Sequence, residues 1–459
     1  MDHPVAHDFL RLFGADVRRV QFVGECTLPS VYPVTPFAAA AIAAAASATR
    51  EVAAILGGVG DADIVVDADL ASLWFAQSLQ PTGWSLPPVW DAVAGDYAAS
   101  DGWIRLHTNA PHHRQAALGV LGLDGADIAR DAVADRVSMW RADDLEAAVV
   151  DAGGCAAAMH SAAEWAAHPN GRAVAAEPLV DEQLRDGQRI ARPAESSPER
   201  PLSGVRVLDL TRVLAGPVAT RFLAGLGADV LRIDPPEWDE PAIVPEVTLG
   251  KRCARLDVRT SDGMATLRGL LADAHIIVHG YRPGAMQRLG LDDVERRRLV
   301  PGLVDVSLDA YGWTGPWSGR RGFDSLVQMS CGIAAAGMVA TQATRPVPLP
   351  VQALDHATGY LLAAAALRGW ARRLTDGVGS SMRTSLARVA CALMAGPSTA
   401  PDTEAPDPAR FEGSAEATPW GDARRLAYPA RIEGVTIGWE RPATRLGSEP
   451  HARWLHSSE

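Results

Sequence analysis

Short apolar runs alternate with amphipathic stretches through the second half of the chain. The runs VRVLDL (205–210), DVLRID (229–234), HIIVHG (275–280) and GLVDVSL (302–308) are each followed by turn or helical residues. Helical patterns separate them, among them AGPVATRFLAGLGA, beginning near Gly216, and DGMATLRGLLADA (262–274). Continuous apolar strands that alternate with helices are typical of a parallel sheet covered on both faces. The pattern predicts an α/β fold with a Rossmann-like, doubly wound parallel sheet.

The first half of the chain has a different pattern. The stretch YAASDGWIRLHTN (97–109) predicts a turn and a strand, and ADDLEAAVVDAGG (142–154) predicts an amphipathic helix. Together they indicate a smaller α+β domain. The polar, proline-bearing segment 191–204 predicts a linker. We therefore expect an N-terminal region (1–190), the linker, a large domain (205–395), and a C-terminal tail (396–459) that returns to the large domain.

Two alanine-rich segments resemble each other. TPFAAAAIAAAASATREVAAILGGVG (35–60) and HATGYLLAAAALRGWARRLTDGVG (356–379) both run from an alanine-rich helix through basic residues to Gly-Val-Gly. This similarity suggests a degenerate internal repeat. SVYPVT precedes the first helix where VQALDH precedes the second, so the first copy lacks an acid. The apolar run of the first copy is expected to be too short and too rich in alanine to span a bilayer.

Composition narrows the function classes. The chain has 459 residues, 47% of them hydrophobic, and a net charge of −12, which disfavours nonspecific binding of nucleic acid. Five scattered cysteines form no CxxC pair, so neither a zinc site nor a disulfide framework is expected. A reducing, cytoplasmic location fits this cysteine pattern. His112 and His113 lack a third ligand at metal-site spacing, and we expect a solvated helix start there.

Five motifs between residues 201 and 395 resemble the class III CoA transferases, the family of formyl-CoA transferase. They are PLSGVRVLDLTRVLAGPVATRFLAGLGADVLRIDPP, GKRCARLDVRTSDG, HGYRPGAMQRLGL, GWTGPWSGRRGFDSLVQMSCG and VQALDHATG, in the family's order. The resemblance implies transfer of CoA from an acyl-CoA to a carboxylic acid. It also implies that CoA thioesters are substrates and that no cofactor is bound permanently.

The acid in VQALDHATG is Asp355, and two roles are open to it. An aspartate before a helix is a good N-cap, because its carboxylate accepts the free N–H groups of the first turn. The resemblance implies that Asp355 is the nucleophile that forms an aspartyl anhydride and then an aspartyl-CoA thioester. The helix dipole would keep the carboxylate ionised, so both roles are compatible. The resemblance also places Asp324, in RGFDSLVQ, near the thioester.

Five further residues are predicted to contact CoA. Arg282 follows the apolar run 275–280, and Leu214 lies in the first strand-to-helix turn. Because ligands bind at the carboxyl ends of strands in open α/β sheets, both positions suit a CoA site. Lys251 and Arg252 form a basic pair, and Arg232 lies in the second predicted strand. The first turn lacks the G-x-G-x-x-G pattern, which disfavours NAD.

Two other functions remain open. The racemase branch of the family has a histidine directly before the acid that corresponds to Asp324, and here that residue is Phe323. Phenylalanine cannot transfer a proton, so a racemase or isomerase ranks below a transferase. A non-catalytic CoA-binding subunit of a heteromeric complex is the other alternative, since the small domain precedes the large one here and follows it in the family. The family forms interlocked homodimers, so a homodimer is expected, although a chain with this order could close its own site.

Overall fold

The computed structural model describes residues 4–125, 127–187, 190–399 and 403–455. The helices, in chain order, are α1 (Pro4–Leu12), α2 (Val34–Ile55), α3 (Ala68–Ala76), α4 (Pro111–Val120), α5 (Arg130–Val137), α6 (Ala142–Asp151), α7 (Ala162–Ala167), α8 (Pro169–Ala176), α9 (Ala215–Gly225), α10 (Val244–Val247), α11 (Ser261–Ala272), α12 (Ala285–Arg288), α13 (Asp293–Leu299), α14 (Asp324–Ser330), α15 (Ile333–Ala340), α16 (Ala353–Thr375) and α17 (Leu386–Met394). The strands are β1 (Val20–Val23), β2 (Ile64–Asp67), β3 (Leu79–Pro81), β4 (Gly95–Ala98), β5 (Trp103–Leu106), β6 (Ala156–Ala158), β7 (Asp181–Arg185), β8 (Arg206–Leu210), β9 (Asp229–Asp234), β10 (Arg252–Arg255), β11 (Ile276–His279), β12 (Val304–Asp309), β13 (Gly379–Ser385), β14 (Gly413–Thr418), β15 (Gly421–Leu426) and β16 (Ala430–Ile432).

A seven-stranded sheet forms the centre of the large domain. Its order is β10-β9-β8-β11-β12-β13-β7, and every neighbouring pair except β13 and β7 is parallel. The four strands predicted between residues 205 and 308 all lie in it. From β8 the chain proceeds towards one edge, and from β11 it proceeds towards the other. The strand order therefore reverses between β8 and β11, where an open α/β sheet has its ligand crevice.

The edge strand β7 comes from the chain before the expected linker. Residues 181–185 pair antiparallel with residues 379–383 of β13, so a boundary at 190 divides a strand from its own sheet. The linker segment 191–204 contains no helix or strand, yet it is firmly attached. Leu202 is fully buried, and the Arg200 guanidinium donates to the carbonyls of Gly225 (2.8 Å) and Gly438 (2.9 Å).

Two modules of the fold share one element order. In the first, the chain runs through β1, α2, β2 and α3, and β1 pairs parallel with β2. In the second, it runs through β12, α16, β13 and α17, with α14 and α15 inserted between β12 and α16, and β12 pairs parallel with β13. Helices α2 and α16 pack against each other. Pro33 before α2 has φ −76° and ψ 65°, and Gln352 before α16 has φ −76° and ψ 64°. The sequence comparison of SVYPVT with VQALDH sets Val34 opposite Asp355. Counting from Pro33 and Gln352, the structure instead aligns Pro36 with Asp355.

Helix α2 uses its apolar surface inside the protein. Of the described helices, Val34–Ile55 alone is long and apolar enough to cross a membrane, and it extends beyond the apolar run seen in the sequence. However, 83% of its most apolar stretch is buried within the fold. Its alanines permit close approach to α16, so its composition reflects core packing.

The smaller α+β unit is an antiparallel sheet, β4-β5-β6, covered by α4, α5 and α6. The C-terminal segment first pairs with the N-terminal region, β16 with β2 and β15 with β3. It then returns to the large sheet, where Glu449 bridges to Ala254 and the Trp454 indole donates to the Leu270 carbonyl (3.0 Å).

Candidate active site

Two cavities adjoin at the reversal of strand order. The inner cavity, of about 390 Å³, contains Asp355 in its wall; the outer cavity, of about 290 Å³, lies over the ends of β9 and β10. They share the lining residues Leu210, Arg212, Tyr281 and Ala285. These residues come from β8, α12 and the segment that follows β11. The two cavities together therefore follow the crevice that the topology predicts.

The loop between β8 and α9 forms one side of the inner cavity. Val213 has φ 63°, a left-handed conformation that is unusual for a β-branched residue. Its N–H donates to Glu240 Oε2 at 2.9 Å, which fixes this strained backbone. A Cβ on Gly216 would lie 2.3 Å from the Thr211 side chain, so glycine is needed for the helix to begin this close to the loop. Leu214, in this loop, lines the inner cavity. Its contact with CoA stays a prediction.

Asp355 and Asp324 occur together, but their roles at the helix start differ from the prediction. Asp355 is the third residue of α16, and Gln352 holds the N-cap position without a side-chain capping hydrogen bond. Instead, Asp324 Oδ2 accepts the N–H groups of Leu354 (2.9 Å) and Asp355 (3.0 Å). Gln328 donates to the other Asp324 oxygen and accepts the Leu349 N–H at 2.7 Å. The N-cap prediction for Asp355 is wrong: Asp324, from α14, caps α16 and leaves Asp355 free to face the cavity.

The charge state of the pair follows from this geometry. Asp324 and Asp355 are 1% and 7% exposed. Burial raises the pKa of Asp324 to about 6, while the N–H groups of Asp355 and Leu354 and the Gln328 amide oppose the rise. Asp355 has no such donors, and burial followed by the nearby Asp324 charge raises its pKa well above the usual value. The first-turn N–H groups of α16 that were expected to favour the ionised Asp355 carboxylate are instead given to Asp324.

A third carboxyl group lines the inner cavity. Asp309 ends β12, and its Oδ1 accepts the Gly312 N–H at 2.9 Å. Its Oδ2 is buried and has no hydrogen-bond partner among the described residues. Burial, with Glu177 nearby, raises the pKa of Asp309 to about 7. Our sequence reasoning missed this residue, although an acid directly after the apolar run VDVSL was the available signal.

The predicted CoA-binding cations divide into two groups. Arg282 lines the inner cavity, and burial together with Arg321 and Arg288 lowers its pKa. Lys251, by contrast, is 1% exposed, and its ammonium contacts Asp209 Oδ2 (2.9 Å), the Pro217 carbonyl (2.9 Å) and Thr220 Oγ1 (2.6 Å). Lys251 therefore attaches the start of α9 to β8.

Arg252 and Arg232 are also held inside the sheet region. Arg252 pairs with both Asp229 oxygens at 3.0 Å. Arg232 pairs with Asp234 (2.9 Å) and with Glu240, the carboxylate that fixes Val213. Lys251, Arg252 and Arg232 line neither cavity. The charges of these three residues are already paired with carboxylates of the large domain. The proposed ligand site therefore does not include Lys251, Arg252 or Arg232.

The smaller α+β unit covers the inner cavity. The His107 ring stacks on Phe323, with centroids 3.7 Å apart, and Arg320 donates to Glu146 at 2.8 Å. His113, at the start of α4, is 5% exposed and lines the cavity, and burial lowers its pKa to about 4. The expected solvated helix start is thus wrong for His113. Among the described residues no cluster of three metal-ligating side chains occurs.

These features define a class of α/β protein with an extended ligand crevice that ends at a buried carboxyl pair. A family model described as CoA-transferase family III matches residues 202–431, half of the chain. The chain belongs to CoA-transferase family III.

Curated relatives agree with this assignment. An acetyl-coenzyme A transferase of Hypoxylon pulicicidum is 31% identical, covering 62% of this chain and 51% of the relative. A protein named probable fatty acyl-CoA transferase of Mycobacterium tuberculosis is 32% identical, covering 55% of this chain and 70% of that protein. A succinyl-CoA:glutarate CoA-transferase of Mus musculus is 31% identical over 42% of this chain and 47% of its own length. The chain thus spans about half the length of two of these three relatives.

A solved structure of a hypothetical protein from Mycobacterium tuberculosis is also similar. It is 31% identical, covers 43% of this chain and 56% of its own, and has a TM-score of 0.39.

Proposed function

We propose that this protein is an acyl-CoA transferase that uses Asp355 as a covalent nucleophile to move CoA from an acyl-CoA donor to a carboxylic acid acceptor. The observation that carries the proposal is the position of Asp355. It is a carboxyl group at the wall of a cavity, freed from helix capping by Asp324, within the part of the chain that matches the family.

The two adjoining cavities suit a long ligand such as CoA. The outer cavity is lined by Arg212 and Arg288, and guanidinium groups bind phosphate oxygens through a rigid fork of donors. We place the nucleotide end of CoA there. The pantetheine arm then passes Leu214 and Arg282, and its thioester reaches Asp355 in the inner cavity.

The proposed reaction proceeds in two half-reactions, each through a mixed anhydride. The Asp355 carboxylate attacks the thioester carbonyl, the C–S bond breaks, and a mixed anhydride and a CoA thiolate form. The thiolate attacks the aspartyl carbonyl, which releases the donor acid and leaves an aspartyl-CoA thioester. The acceptor carboxylate then attacks this thioester, the C–S bond breaks, and a second anhydride and the CoA thiolate form. Attack of the thiolate on the acceptor carbonyl releases the new acyl-CoA and regenerates Asp355.

Ionisation of Asp355 is required for the first attack. Burial and the Asp324 charge raise the pKa of Asp355, so its ionised form is less favoured in the empty site than in water. A group with a raised pKa ionises only at higher pH. We therefore expect the rate of the first half-reaction to increase with pH as Asp355 loses its proton.

Residues from both parts of one chain line the inner cavity. His112 and His113 come from the smaller unit, and the rest of the lining comes from the large domain. We propose that the site closes within a single chain, so that a homodimer, if formed, is not needed to complete it. A complete cavity with its acid pair also favours an enzyme over the non-catalytic subunit.

Asp309 favours a second candidate, an acyl-CoA racemase or isomerase. Its pKa of about 7 suits proton transfer near neutral pH, and it lines the same cavity as Asp355. Incubation of acyl-CoA in deuterium oxide without an acceptor acid tests this activity. Deuterium at the α-carbon, lost in Asp309→Asn, would support the racemase.

Trapping the covalent intermediate tests the transferase. The protein is incubated with a panel of acyl-CoA thioesters and then with hydroxylamine, which converts an aspartyl thioester into a hydroxamate. Peptide mass spectrometry should find a CoA-dependent hydroxamate at Asp355, with none in Asp355→Ala. Asp309→Asn is the matched control and should retain the adduct. Transfer activity that survives in Asp355→Ala would contradict the proposal.

A further inference from the structure

The helix start beside Asp355 has no free N–H group to offer a reacting carbonyl. When a carboxylate attacks a thioester, negative charge develops on the carbonyl oxygen, and hydrogen-bond donors aimed at that oxygen lower the barrier. Asp324 already accepts the N–H groups of Leu354 and Asp355. Burial and the Asp324 charge both raise the pKa of Asp355, and no cation within the described chain lowers it. We therefore expect a neutral donor from another part of the cavity wall.

Most neutral side-chain donors that line the inner cavity are already in use or lie elsewhere. Thr211 and Trp238 donate to buried carboxylates. Tyr281 also lines the outer cavity, so it lies where the two cavities meet, and the His112 side chain is exposed. His113 differs from these residues: it is 5% exposed, and its Nδ1 is buried without a hydrogen-bond partner among the described residues.

The position of His113 on the cover brings it towards the acid pair. Its ring meets the Phe323 ring at 70°, with centroids 5.9 Å apart. Phe323 directly precedes Asp324, which accepts the Asp355 N–H at 3.0 Å. In the first turn of α4 the backbone N–H of His113 donates to the Ala110 carbonyl at 2.9 Å. The imidazole is thus held in the part of the cover that borders the two carboxyl groups.

The His113 imidazole is neutral and carries a single N–H group. Burial, followed by the charges of His112 and Arg321, lowers its pKa to about 4. We assign the proton to Nε2, because a buried N–H at Nδ1 would lack an acceptor. A neutral imidazole can polarise a carbonyl group. Unlike an imidazolium, it brings no positive charge that would form an ion pair with the Asp355 carboxylate.

We propose that His113 is a further catalytic residue, whose Nε2–H donates to the thioester carbonyl oxygen while Asp355 attacks the carbonyl carbon. The inference rests on the proposed transferase function and gives the smaller α+β unit a part in the chemistry. The oxygen gains negative charge as the C–O bond to Asp355 forms, and it returns that charge to the carbonyl as the C–S bond breaks. The imidazole keeps its proton throughout, and the CoA thiolate leaves with the electron pair of the broken bond.

Substitution of His113 tests this hydrogen bond. His113→Phe keeps an aromatic ring and removes both nitrogens, so kcat and the rate of adduct formation at Asp355 should fall by roughly a hundredfold or more, the effect of losing one oxyanion donor. KM for acyl-CoA should change by less than about threefold, because the bond strengthens only in the transition state. His113→Gln, which supplies an amide N–H, should restore part of the rate. An unchanged kcat in His113→Phe would overturn the inference.

A thioether analogue of the donor separates catalysis from the shape of the cavity. S-Butyl-CoA has the chain of butyryl-CoA without its carbonyl oxygen, so its inhibition constant should be equal for the wild-type protein and His113→Phe. If the inhibition constant instead rises as far as kcat falls, the His113 ring only shapes the cavity and the inference is wrong. His451→Phe is the control: His451 is exposed and lines neither cavity, so this variant should change neither value.

The hydroxamate at Asp355 distinguishes failure of the inference from failure of the function. An adduct in the wild-type protein that forms equally fast in His113→Phe overturns only the role of His113. Slow accumulation of the same adduct in His113→Phe supports both proposals. Absence of the adduct from the wild-type protein with every acyl-CoA tested overturns the transferase, and the inference with it.

Discussion

The two modules that pack through α2 and α16 have similar backbones and different chemistry. Both helices follow a residue with nearly identical dihedral angles, and the third residue beyond it is Pro36 in one module and Asp355 in the other. At the start of α2, Thr35 Oγ1 accepts the Leu28 N–H at 2.9 Å and contacts Ser72 Oγ at 2.8 Å. At the start of α16, a carboxylate from another helix occupies the corresponding region.

One module carries an acid at this position and the other does not, and the acid pair is completed by Asp324 from the neighbouring helix α14. Neutral hydroxyl groups close the first helix start inside the core, where Thr35 is 2% exposed. The second helix start lies under the β12–α14 connection, which brings Asp324, Phe323 and Asp309 to one cavity. The backbone of the module therefore forms with or without an acid at this position.

The largest expected effect is the loss of CoA transfer when the acid of the second module is removed. Asp355→Ala should lower CoA transfer by about a thousandfold or more, because the proposed reaction passes through a covalent bond to the Asp355 carboxylate. Its thermal unfolding should stay close to that of the wild-type protein, since α2 has the same backbone with Pro36 at this position. A coupled transfer assay and calorimetry measure both. Collapse of the fold in Asp355→Ala would break the comparison.

The second effect concerns the stability of the large domain, in which Lys251 joins β8 to the start of α9. Lys251→Met should destabilise the protein by about 3–5 kcal/mol, because it leaves the buried Asp209 carboxylate without its ammonium partner. Chemical denaturation measures this loss. Arg282→Met is the matched control, for it lines the cavity and should raise KM for acyl-CoA with little change in stability. Unchanged stability of Lys251→Met would return Lys251 to the candidate CoA contacts.

The third effect is a shift in pH dependence. The Asp324 charge contributes to the raised pKa of Asp355, so Asp324→Asn should lower that pKa. Activity that requires ionised Asp355 should then begin at lower pH, although the maximal rate falls because the helix start is less well held. Ser325→Ala, which removes a buried hydroxyl with no hydrogen-bond partner among the described residues, should leave the profile in place. A profile that moves to higher pH in Asp324→Asn would rule out this electrostatic account.

The smallest effect is expected in the first module. Pro36→Ala should change the free energy of unfolding by less than about 1 kcal/mol, because the first turn of a helix tolerates either residue. It should leave transfer unchanged. Denaturation and the transfer assay measure both, and a loss of transfer comparable to that of Asp355→Ala would mean that the first module takes part in catalysis.

The accuracy of the sequence predictions depended on the range of the interactions involved. The strands between residues 205 and 308 were predictable because apolar runs and turn residues are local signals. The capping of α16 by Asp324 was not, because it joins residues on different helices. The basic residues Lys251 and Arg282 look alike in sequence, and only the tertiary position of Asp209 separates a buried ion pair from a cavity wall. Strand β7 was missed because its residues, DEQLR, lack the apolar character of a buried strand.

The covering of the inner cavity by the smaller α+β unit has a consequence for enzyme assays. Residues of one chain form both the floor with Asp355 and the cover with His113. Specific activity should therefore stay constant as the protein is diluted. Mixtures of two inactive variants, one changed in the floor and one in the cover, should remain inactive.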